Sequence, residues 1–514
     1  MTVMIGWKGV RQRSLFMVAA RRLARSSVLA LLVAASPALA QHASTTDAYR
    51  AQAMAELARI KADAPVVGKA RNIILFIGDG MGVSTLTAAR IHQGQRQGVD
   101  GESFVPTMDR LSSTALVKTY SHDGQVSDSA PTATAILTGV KTRNGVIGIG
   151  PEVPENDCAT SKAHRLPSLF GFAQGQGMAT GVISTARITH ATPAATYAQT
   201  AQRDWEADGD LTADARAQGC IDIARQMVEG DVGARLDLIL GGGRANFLPT
   251  TARDPEYATI MGKRTDRKDL TKAWQRRNPR GAYVWNSADF AKVDLTRTPR
   301  LLGLFEPDHM QYEADRAKDT GGEPSLADMT RSAITLLGSR DKGYVLLVEA
   351  GRIDHAHHAG NARRALEDTI ALDEAVKVAM DMTDRADTLV LVTADHSHTF
   401  AMSGYPGRGN PILGAVTNGG QALKAKDGKG YTTLGYANGP GATIDTPRAD
   451  PLQTDTTALD YRQQALVPLG SETHGGDDVL ARASGPMAHL VKGTIEQHSL
   501  YYIMRDALAG PTAE

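Results

Sequence analysis

Three short apolar segments of the chain each end next to an acidic residue, and this repeated pattern limits the possible folds most strongly. Uninterrupted apolar runs of this length are typical of strands that are buried on both faces. Amphipathic patterns of helical length, at 84–92 and 362–382, occur between such runs. Strands that alternate with helices predict an α/β fold, with a parallel-rich central sheet and helices on both faces. The apolar runs are 73–77, 344–348 and 388–393, and the acids are Asp79, Glu349 and Asp395.

The three acids should meet at one edge of the sheet, because open α/β sheets bind ligands at the carboxyl ends of their parallel strands. Carboxylates crowded at one edge repel one another unless a cation compensates for their charge. Histidines accompany two of them, and His396 directly follows Asp395. Asp354 and His358 are four residues apart, so on a helical turn both can bind one ion, although His358 alone would indicate only an ordinary histidine. Mixed histidine and carboxylate ligands favour zinc or a similar ion, whereas oxygen ligands alone favour magnesium.

Ser129 lies in the segment 126–144 (VSDSAPTATAILTGVKTRN), directly after an acid and directly before a run of small residues. That run predicts a helix that begins near Ser129, since proline is tolerated in a first helical turn. The N-terminal end of a helix attracts anions, phosphate above all, through its unpaired N–H groups and its dipole. One interpretation makes Ser129 only a helix cap. The acids and histidines elsewhere in the chain favour another, in which Ser129 acts beside a metal site.

Length and composition indicate a large globular protein. The chain has 514 residues, of which 42% are hydrophobic, and its net charge is zero. Because no basic run or aromatic-interleaved patch follows the N-terminus, nucleic acid is not predicted as a specific partner. The two cysteines, Cys158 and Cys220, are an even number in a chain predicted to be exported. A disulfide between them is therefore expected in preference to two buried free thiols.

Residues 1–40 are predicted to be a signal peptide. Arginines precede an apolar run at 28–35 that is too short to span a bilayer, and an A-x-A cleavage motif ends at Ala40. The pair Arg21-Arg22 leaves twin-arginine export open as a route. The predicted location is periplasmic or extracellular, without a membrane anchor, since the C-terminus lacks the hydrophobic tail of a lipid-anchor signal.

The rest of the chain is predicted to contain an N-terminal helical segment at 41–67 and one large domain at 68–514. Within that domain, a helix is predicted to begin near Pro193 with Arg203 at its far end, and a last helix is predicted at 494–507. Two parts of that domain differ from the alternation of strands and helices. The segment 244–307 is irregular and polar, which predicts an excursion from the sheet. The segment 402–469 is rich in glycine, proline and short turns, which predicts an inserted, crown-like subdomain.

From about Asn72 to Met504, the sequence resembles the alkaline phosphatase family. The pattern at 128–135 (DSAPTATA) is close to the family signature around the nucleophile. The segments 349–358, 392–398 (VTADHSH) and 472–476 are also individually specific for that family. The segments that resemble the animal branch more than the shorter enterobacterial one are 187–205, 281–286, 304–307, 438–441 and 461–464.

The resemblance implies two zinc ions and one magnesium ion. Asp79 is implied to bridge the second zinc and magnesium, Ser129 to occupy the open position of the second zinc, and Arg203 to bind phosphate. The implied ligands are Asp354, His358 and His474 for the first zinc, Asp79, Asp395 and His396 for the second, and Asp79, Thr192 and Glu349 for magnesium.

The surroundings of these ligands carry further expectations. His190 stands just outside the magnesium ligands, where the enterobacterial type has an aspartate, and a histidine there favours competition from cobalt or zinc. A zinc ion with four ligands does not need His355 or His398, so these histidines are expected to support ligands or to lie at the surface. The resemblance also implies a homodimer, with the segment 402–469 as part of the interface, and a calcium site. The matching calcium positions are Glu256, Phe305, Glu306 and Glu323.

These features predict metal-dependent hydrolysis of small phosphate monoesters, of broad specificity, to alcohol and inorganic phosphate through a phosphoserine on Ser129. Zinc activates an oxygen nucleophile by lowering its pKa. Sulfate-ester hydrolysis is disfavoured, because the sulfatase pattern C/S-x-P-x-R needs an arginine that the segment after Ser129 lacks. Two alternatives stay open. They are phosphodiester hydrolysis on the same scaffold and a non-catalytic exported protein that binds phosphate or metal.

Overall fold

The computed structural model describes residues 36–444 and 446–510, so most of the predicted signal peptide lies outside the described residues. The chain divides into two compact units at Ala64 and Pro65. In the first unit, the described residues form one long helix, α1 (Ser36–Ala62), in agreement with the helical segment predicted there. Over the part of the chain that is described, no helix has both the length and the apolar character needed to cross a membrane.

A ten-stranded sheet forms the centre of the second unit, in the order β17-β2-β16-β8-β1-β7-β3-β4-β6-β5. Its strands are parallel except for β16, which runs antiparallel to β2 and β8. The strands are β1 (Asn72–Gly78), β2 (Ser113–Lys118), β3 (Ala179–Arg187), β4 (Leu238–Gly242), β5 (Ala282–Val284), β6 (Leu301–Leu304), β7 (Tyr344–Ala350), β8 (Thr388–Ala394), β9 (Ser397–His398), β10 (Phe400–Met402), β11 (Thr417–Asn418), β12 (Gln421–Ala422), β13 (Leu434–Gly439), β14 (Ala465–Pro468), β15 (His474–Gly475), β16 (Val479–Ser484) and β17 (Gly493–Glu496).

The three central strands, β8, β1 and β7, are the apolar runs that the sequence analysis identified. Every residue of these strands is buried, which requires cover on both faces of the sheet. Ile77 pairs with Glu349 on one side and with Thr393 on the other. Because Gly78 is level with both Ala350 and Ala394, the acids at the ends of these strands meet at one edge, as predicted. Two of them directly follow β1 and β8, and the third, Glu349, is the penultimate residue of β7. The predicted fold class is confirmed.

Two groups of helices cover the sheet. One group contains the long helices α11 and α13, which pack against each other and against β1, β3, β7 and β8, and the other contains α3, α5 and α14. The remaining helices are α2 (Val83–Arg96), α3 (Ser129–Thr138), α4 (Cys158–Ser161), α5 (Leu169–Gly175), α6 (Ala191–Ala194), α7 (Ala213–Ala217), α8 (Ile223–Glu229), α9 (Leu270–Arg277), α10 (Ser287–Phe290), α11 (Leu326–Gly338), α12 (Arg352–His358), α13 (Ala362–Met382) and α14 (Ser499–Ala509).

Two segments differ from the sequence prediction. The predicted excursion at 244–307 contains β5 and β6, which return to the sheet and form its edge beyond β4. These strands have three and four residues, too few for a periodic signal. The last helix begins at Ser499 and not at Thr494, because Thr494 and Ile495 pair with β2 as strand β17.

The segment 402–469 contains short strands joined by turns, and its assignment as an inserted, crown-like subdomain stays a prediction. Strands β10, β13 and β14 make a three-stranded sheet, and β11 pairs with β12 as a hairpin. Leu434 and Tyr436 of β13 are buried against residues of α2 and α13 in a second hydrophobic cluster. Strand β14 lies at an edge and exposes Leu466, which is 81% accessible.

The burial of the central strands yields a stability prediction. Leu347 in β7 is completely buried, so Leu347→Ala should lower the free energy of unfolding by about 2–5 kcal/mol through lost contacts and a cavity. Val99→Ala is a control at an exposed position outside the segment 402–469 and should change it by less than about 0.5 kcal/mol. Urea denaturation of the metal-loaded protein measures both. Equal effects of the two substitutions would contradict the sheet described above.

Candidate metal centre

Ser129 is the first residue of α3, and Asp128 is its N-cap. One carboxylate oxygen of Asp128 accepts the N–H of Ala130 at 2.6 Å, and the other accepts the N–H of Gly145 at 2.6 Å. Capping is therefore the role of Asp128, which leaves the Ser129 hydroxyl free to face the sheet edge. The side chain of Ser129 is buried. The interpretation of Ser129 as only a cap is wrong.

The Ser129 hydroxyl lies against a first group of ligand-type side chains, Asp79, Asp395 and His396. Its Oγ is 3.1 Å from His396 Nε2 and 3.4 Å from Asp79 Oδ1. His396 Nε2 is in turn 3.4 Å from a carboxylate oxygen of each acid. His396 Nδ1 donates to the Ser397 carbonyl at 3.3 Å, so the neutral ring presents the lone pair of Nε2 to the two acids. All ligand atoms of this group lie within 4.8 Å of one another.

A second group contains Asp354, His358 and His474. Asp354 and His358 lie one turn apart on α12, and the pairing of β15 with β9 brings His474 beside them. Each Nε2 atom is 3.3 Å from Asp354 Oδ1, and the two Nε2 atoms are 3.1 Å apart. His358 Nδ1 donates to the Glu472 carbonyl and His474 Nδ1 to the Ser127 carbonyl. Two imidazole lone pairs thus point at one spot, which is the arrangement of metal ligands.

His398 also touches Asp354 but holds it in place from behind. Its Nε2 is 2.9 Å from Asp354 Oδ1 and its Nδ1 is 2.5 Å from Glu472 Oε2, so the ring bridges two carboxylates. Although burial opposes protonation, the hydrogen bonds to Asp354 and Glu472 raise the pKa of His398 to about 9. Gly80 has a φ of +68°, and a Cβ there would come within 2.4 Å of His398, so this position requires glycine.

A third group lies on the other side of Asp79 and contains Glu349, Thr192 and His190. Ligand atoms of Asp79, Glu349 and His190 lie within 4.8 Å of one another. Ser184 donates to Glu349 Oε2. Four buried polar atoms around this spot have no hydrogen-bond partner among the described residues, which fits an ion in their midst. They are Asp79 Oδ2, Thr192 Oγ1, Glu349 Oε1 and His190 Nδ1.

The electrostatics of these groups also fit cations. Burial, followed by the charges of Asp395, Asp354 and Glu349, raises the pKa of Asp79 well above its ordinary value. Burial raises the pKa of Glu349 to about 8, and it raises the pKa of Asp395 too. Without compensation, the protonated forms of these acids are favoured. Divalent cations supply that compensation and restore the carboxylates.

Arg203 reaches the same place from a loop. The sequence predicted a helix from Pro193 to Arg203, but α6 ends at Ala194 and Arg203 follows a turn-rich stretch, so that prediction is wrong. The guanidinium is 3.2 Å from Asp128 Oδ1 and 3.0 Å from His190 Nε2. Although burial opposes protonation, the charge of Asp128 raises the pKa of Arg203, so the side chain is a permanent cation beside Ser129.

A fourth group lies outside this centre and differs from the predicted calcium positions. Ligand-type atoms of Glu256, Glu306 and Asp319 lie within 4.8 Å of one another. Glu323 lies close enough that, besides burial, the charges of Glu306 and Asp319 raise its pKa. Asp319 lies in the irregular stretch before α11 that the sequence analysis did not use. Glu323 also accepts the N–H of Gln311 at 2.9 Å. Burial raises the pKa of Glu306 to about 8 and that of Glu323 to about 9. Phe305 is buried beside Glu306.

The last predicted residues lie near the third group or away from the centre. The rings of His355 and His309 are tilted by 55° with their centroids 4.0 Å apart, and both rings contact His190 edge-on. His355 Nδ1 is 3.1 Å from Arg352 Nη1. The predicted disulfide between Cys158 and Cys220 is confirmed.

Sequence reasoning missed four residues that act on the predicted ones. Asp128 and Glu472 both lie inside segments that the analysis singled out, so their acidic character beside a ligand was the available signal. His309 and Asp319 follow no strand directly and gave no such signal. The residues are Asp128, His309, Asp319 and Glu472.

Comparison with known proteins agrees with this centre. The profile described as "Alkaline phosphatase" matches residues 70–509. The tissue-nonspecific isozyme of alkaline phosphatase from Gallus gallus is 45% identical over 442 residues, which cover 85% of this chain and 84% of that protein. The same isozyme from Homo sapiens is 42% identical, over 85% of this chain and 83% of that protein.

Solved structures show the same fold. The alkaline phosphatase of Thermus thermophilus superimposes with a TM-score of 0.61 at 24% identity, over 88% of this chain and 94% of that one. The alkaline phosphatase of the Antarctic bacterium TAB5 gives a TM-score of 0.58 at 21% identity, over 87% of this chain and 100% of that one. From the profile match and the two curated relatives together, we conclude that the chain belongs to the alkaline phosphatase family.

Proposed function

We propose that the protein hydrolyses small phosphate monoesters, with broad specificity, through a phosphoserine on Ser129. Hydrolysis of monoesters follows from the family, and the serine intermediate is our assignment. One observation carries it. The buried Ser129 hydroxyl lies 3.1 Å from a histidine lone pair and 3.4 Å from a carboxylate, inside two groups of ligand-type side chains.

Ser129 and Arg203 have different roles in the proposed reaction. Ser129 attacks phosphorus, and the alcohol leaves from the opposite side. Water then attacks the phosphorus of the phosphoserine from the side that the alcohol left, which releases inorganic phosphate and restores Ser129. Two in-line displacements give net retention of configuration at phosphorus. Arg203 binds the equatorial phosphate oxygens through its planar guanidinium, which Asp128 and His190 hold in place. Since few of these contacts reach the leaving group, broad specificity follows.

The first two groups would each hold a zinc ion, one at Asp354, His358 and His474 and the other at Asp79, Asp395 and His396. Bound there, zinc supplies Lewis-acid stabilisation of the attacking and leaving oxygens. The tautomers described above support both assignments, because each ligating ring donates its other N–H to a backbone carbonyl.

The third group would hold magnesium through Asp79, Thr192 and Glu349. His190 lies beside this group, and if its lone pair turned from Arg203 to the ion, the imidazole would favour zinc or cobalt over magnesium. The fourth group would hold calcium, and its oxygen-only donors suit that ion. We assign its acids as Glu256, Glu306 and Asp319.

Phosphodiester hydrolysis is the second candidate, because the same two-metal arrangement suits it. Arg203 argues against it, since a guanidinium fork gains most from a phosphoryl group with several unsubstituted oxygens. We further propose export to the periplasm or cell exterior and a homodimer. The exposed apolar side chains of the segment 402–469, such as Tyr405 and Leu466, support that interface.

The nucleophile assignment predicts the effect of Ser129→Ala. Turnover of a chromogenic phosphate monoester should fall by at least about 10,000-fold, because the bond-forming atom is lost. Bound zinc, measured by elemental analysis, should stay unchanged, since the acids and histidines remain. Ser127→Ala is a matched control whose hydroxyl donates to the Thr119 carbonyl, and it should keep activity within about tenfold. Unchanged turnover in Ser129→Ala would refute the assignment, and turnover near zero in the parent protein would favour a binding protein.

The role of Arg203 predicts a change in substrate preference. Arg203→Ala should lower kcat/KM for a phosphate monoester by about 100-fold, because two charge-assisted hydrogen bonds are lost. Arg203→Lys should recover little, since a single ammonium does not reproduce the fork. A diester of the same alcohol should lose less than about tenfold. Parallel assays of both substrates measure this, and an equal loss for both would contradict the assignment.

We expect the stability of the metal-free protein to depend on pH in an unusual way. In metal-free protein the raised pKa of Glu349, about 8 against an ordinary 4.5, favours the folded state when the group is protonated. That stability is complete below pH 4.5 and is lost as pH rises through about 8. The unfolding temperature of chelator-treated protein should therefore fall across this range, while zinc and magnesium should restore it. Glu349→Gln should flatten the metal-free curve, and a curve that rises with pH would contradict the model of uncompensated acids.

A further inference from the structure

The segments that carry Ser129 and Arg203 pack into two different hydrophobic clusters. Helix α3 packs into the main core through Ala130, Ala133 and Ile136. Arg203 instead lies between Ala201 and Trp205, which belong to a separate small cluster that we call the satellite cluster. Its members are Val146, Ile149, Val153, Cys158, Ala201, Trp205, Leu211 and Ala215, with Cys220 packed at its margin.

Backbone hydrogen bonds tie the Arg203 loop to the opposite side of the satellite cluster. The Arg203 N–H donates to the Gly145 carbonyl at 2.7 Å, and the Asn156 N–H donates to the Ala201 carbonyl at 2.8 Å. Ile147 and Thr200 exchange two further hydrogen bonds at 3.0 and 2.9 Å. The position of the guanidinium therefore depends on how the segment 145–158 is held.

The disulfide closes this arrangement. Cys158 and Cys220 are 62 residues apart, and the loop between them contains Arg203. Three residues after Cys220, α8 begins, and its Ile223 and Met227 are buried in the main core. The Ile223 N–H also donates to the Trp205 carbonyl at 2.9 Å. The disulfide thus joins the satellite cluster to an element that is anchored in the main core.

We propose that the Cys158–Cys220 disulfide is a positioning group for phosphate binding, because it keeps Arg203 between Asp128 and His190. This inference rests on the proposed role of Arg203. Ser129 lies on α3, and Asp79, Glu349 and Asp395 lie at the ends of buried strands of the sheet, all outside the loop that the disulfide closes, so these residues keep their places when the disulfide is absent. Loss of the disulfide therefore weakens phosphate binding more than it slows turnover at saturating substrate.

A double-mutant cycle tests this on the metal-loaded protein. The variants are Cys158→Ser with Cys220→Ser, Arg203→Ala, and all three substitutions together. The probe is inorganic phosphate, titrated calorimetrically, with KM and kcat measured in parallel and zinc content measured by elemental analysis. We expect the cysteine variant to bind phosphate about tenfold more weakly and to raise KM, while kcat changes less than about threefold and zinc is retained. In the Arg203→Ala background, loss of the disulfide should have no further effect.

The outcomes separate this inference from the proposed function. If Arg203→Ala binds phosphate as the parent does, the proposed role of Arg203 is wrong. If Arg203→Ala weakens binding but the cysteine variant does not, or if the two effects multiply in the triple variant, the positioning inference alone is overturned.

A second variant keeps the test decisive if the cysteine variant does not fold. Val153→Ala opens a cavity in the satellite cluster, where Val153 is completely buried. It should also weaken phosphate binding, and not further in the Arg203→Ala background. Leu337→Ala is the matched control, a completely buried residue of the main core on α11. It should lower the unfolding temperature and leave phosphate binding unchanged. Equal weakening by both variants would overturn the inference.

Discussion

The mutual repulsion of buried carboxylates is the constraint on which the rest of the site depends. Asp79 and Asp395 directly follow β1 and β8, and Glu349 is the penultimate residue of the adjacent β7, so the register of the three strands brings the acids to one edge. Asp354 joins them from α12. Each is buried, so water cannot screen the charges. Such an arrangement is unfavourable unless cations or protons compensate for the charges, and bound cations would concentrate positive charge where a phosphoryl group would bind. The positions of the acids in the fold therefore favour bound cations, whatever the detailed geometry of the ligands.

Neighbouring backbone groups orient the histidines of the metal sites. Carbonyl groups of Glu472, Ser127 and Ser397 fix the protonated nitrogen of each ligating ring, which leaves the other nitrogen pointing at an acid. His398 holds Asp354 from behind and is itself held by Glu472. The backbone around β9 and β15 thus sets both protonation and direction. The two-residue strands β9 and β15 therefore contribute to the site, because their pairing places His474 beside His398.

The acid and the cation beside Ser129 show how the two parts of the chain meet. Asp128 caps α3, accepts the Gly145 N–H and contacts Arg203, so one carboxylate joins the helix of the nucleophile to the loop of the phosphate ligand. The main core carries the nucleophile and the metal-ligating residues, and the satellite cluster carries the arginine. Chemistry at this site depends on the relative position of two separately packed units.

The sequence by itself determined the class of fold, the three strand-end acids, the α12 pair Asp354 and His358, and the disulfide. These are local patterns, since an apolar run sets a strand and parallel strands share an edge. The tertiary structure decided what depends on distant contacts: that β5 and β6 rejoin the sheet, that a loop and not a helix carries Arg203, and that Asp319 joins Glu256 and Glu306 in the fourth group. Short strands and loops carry no periodic signal, because their conformation is fixed by partners far away in the chain.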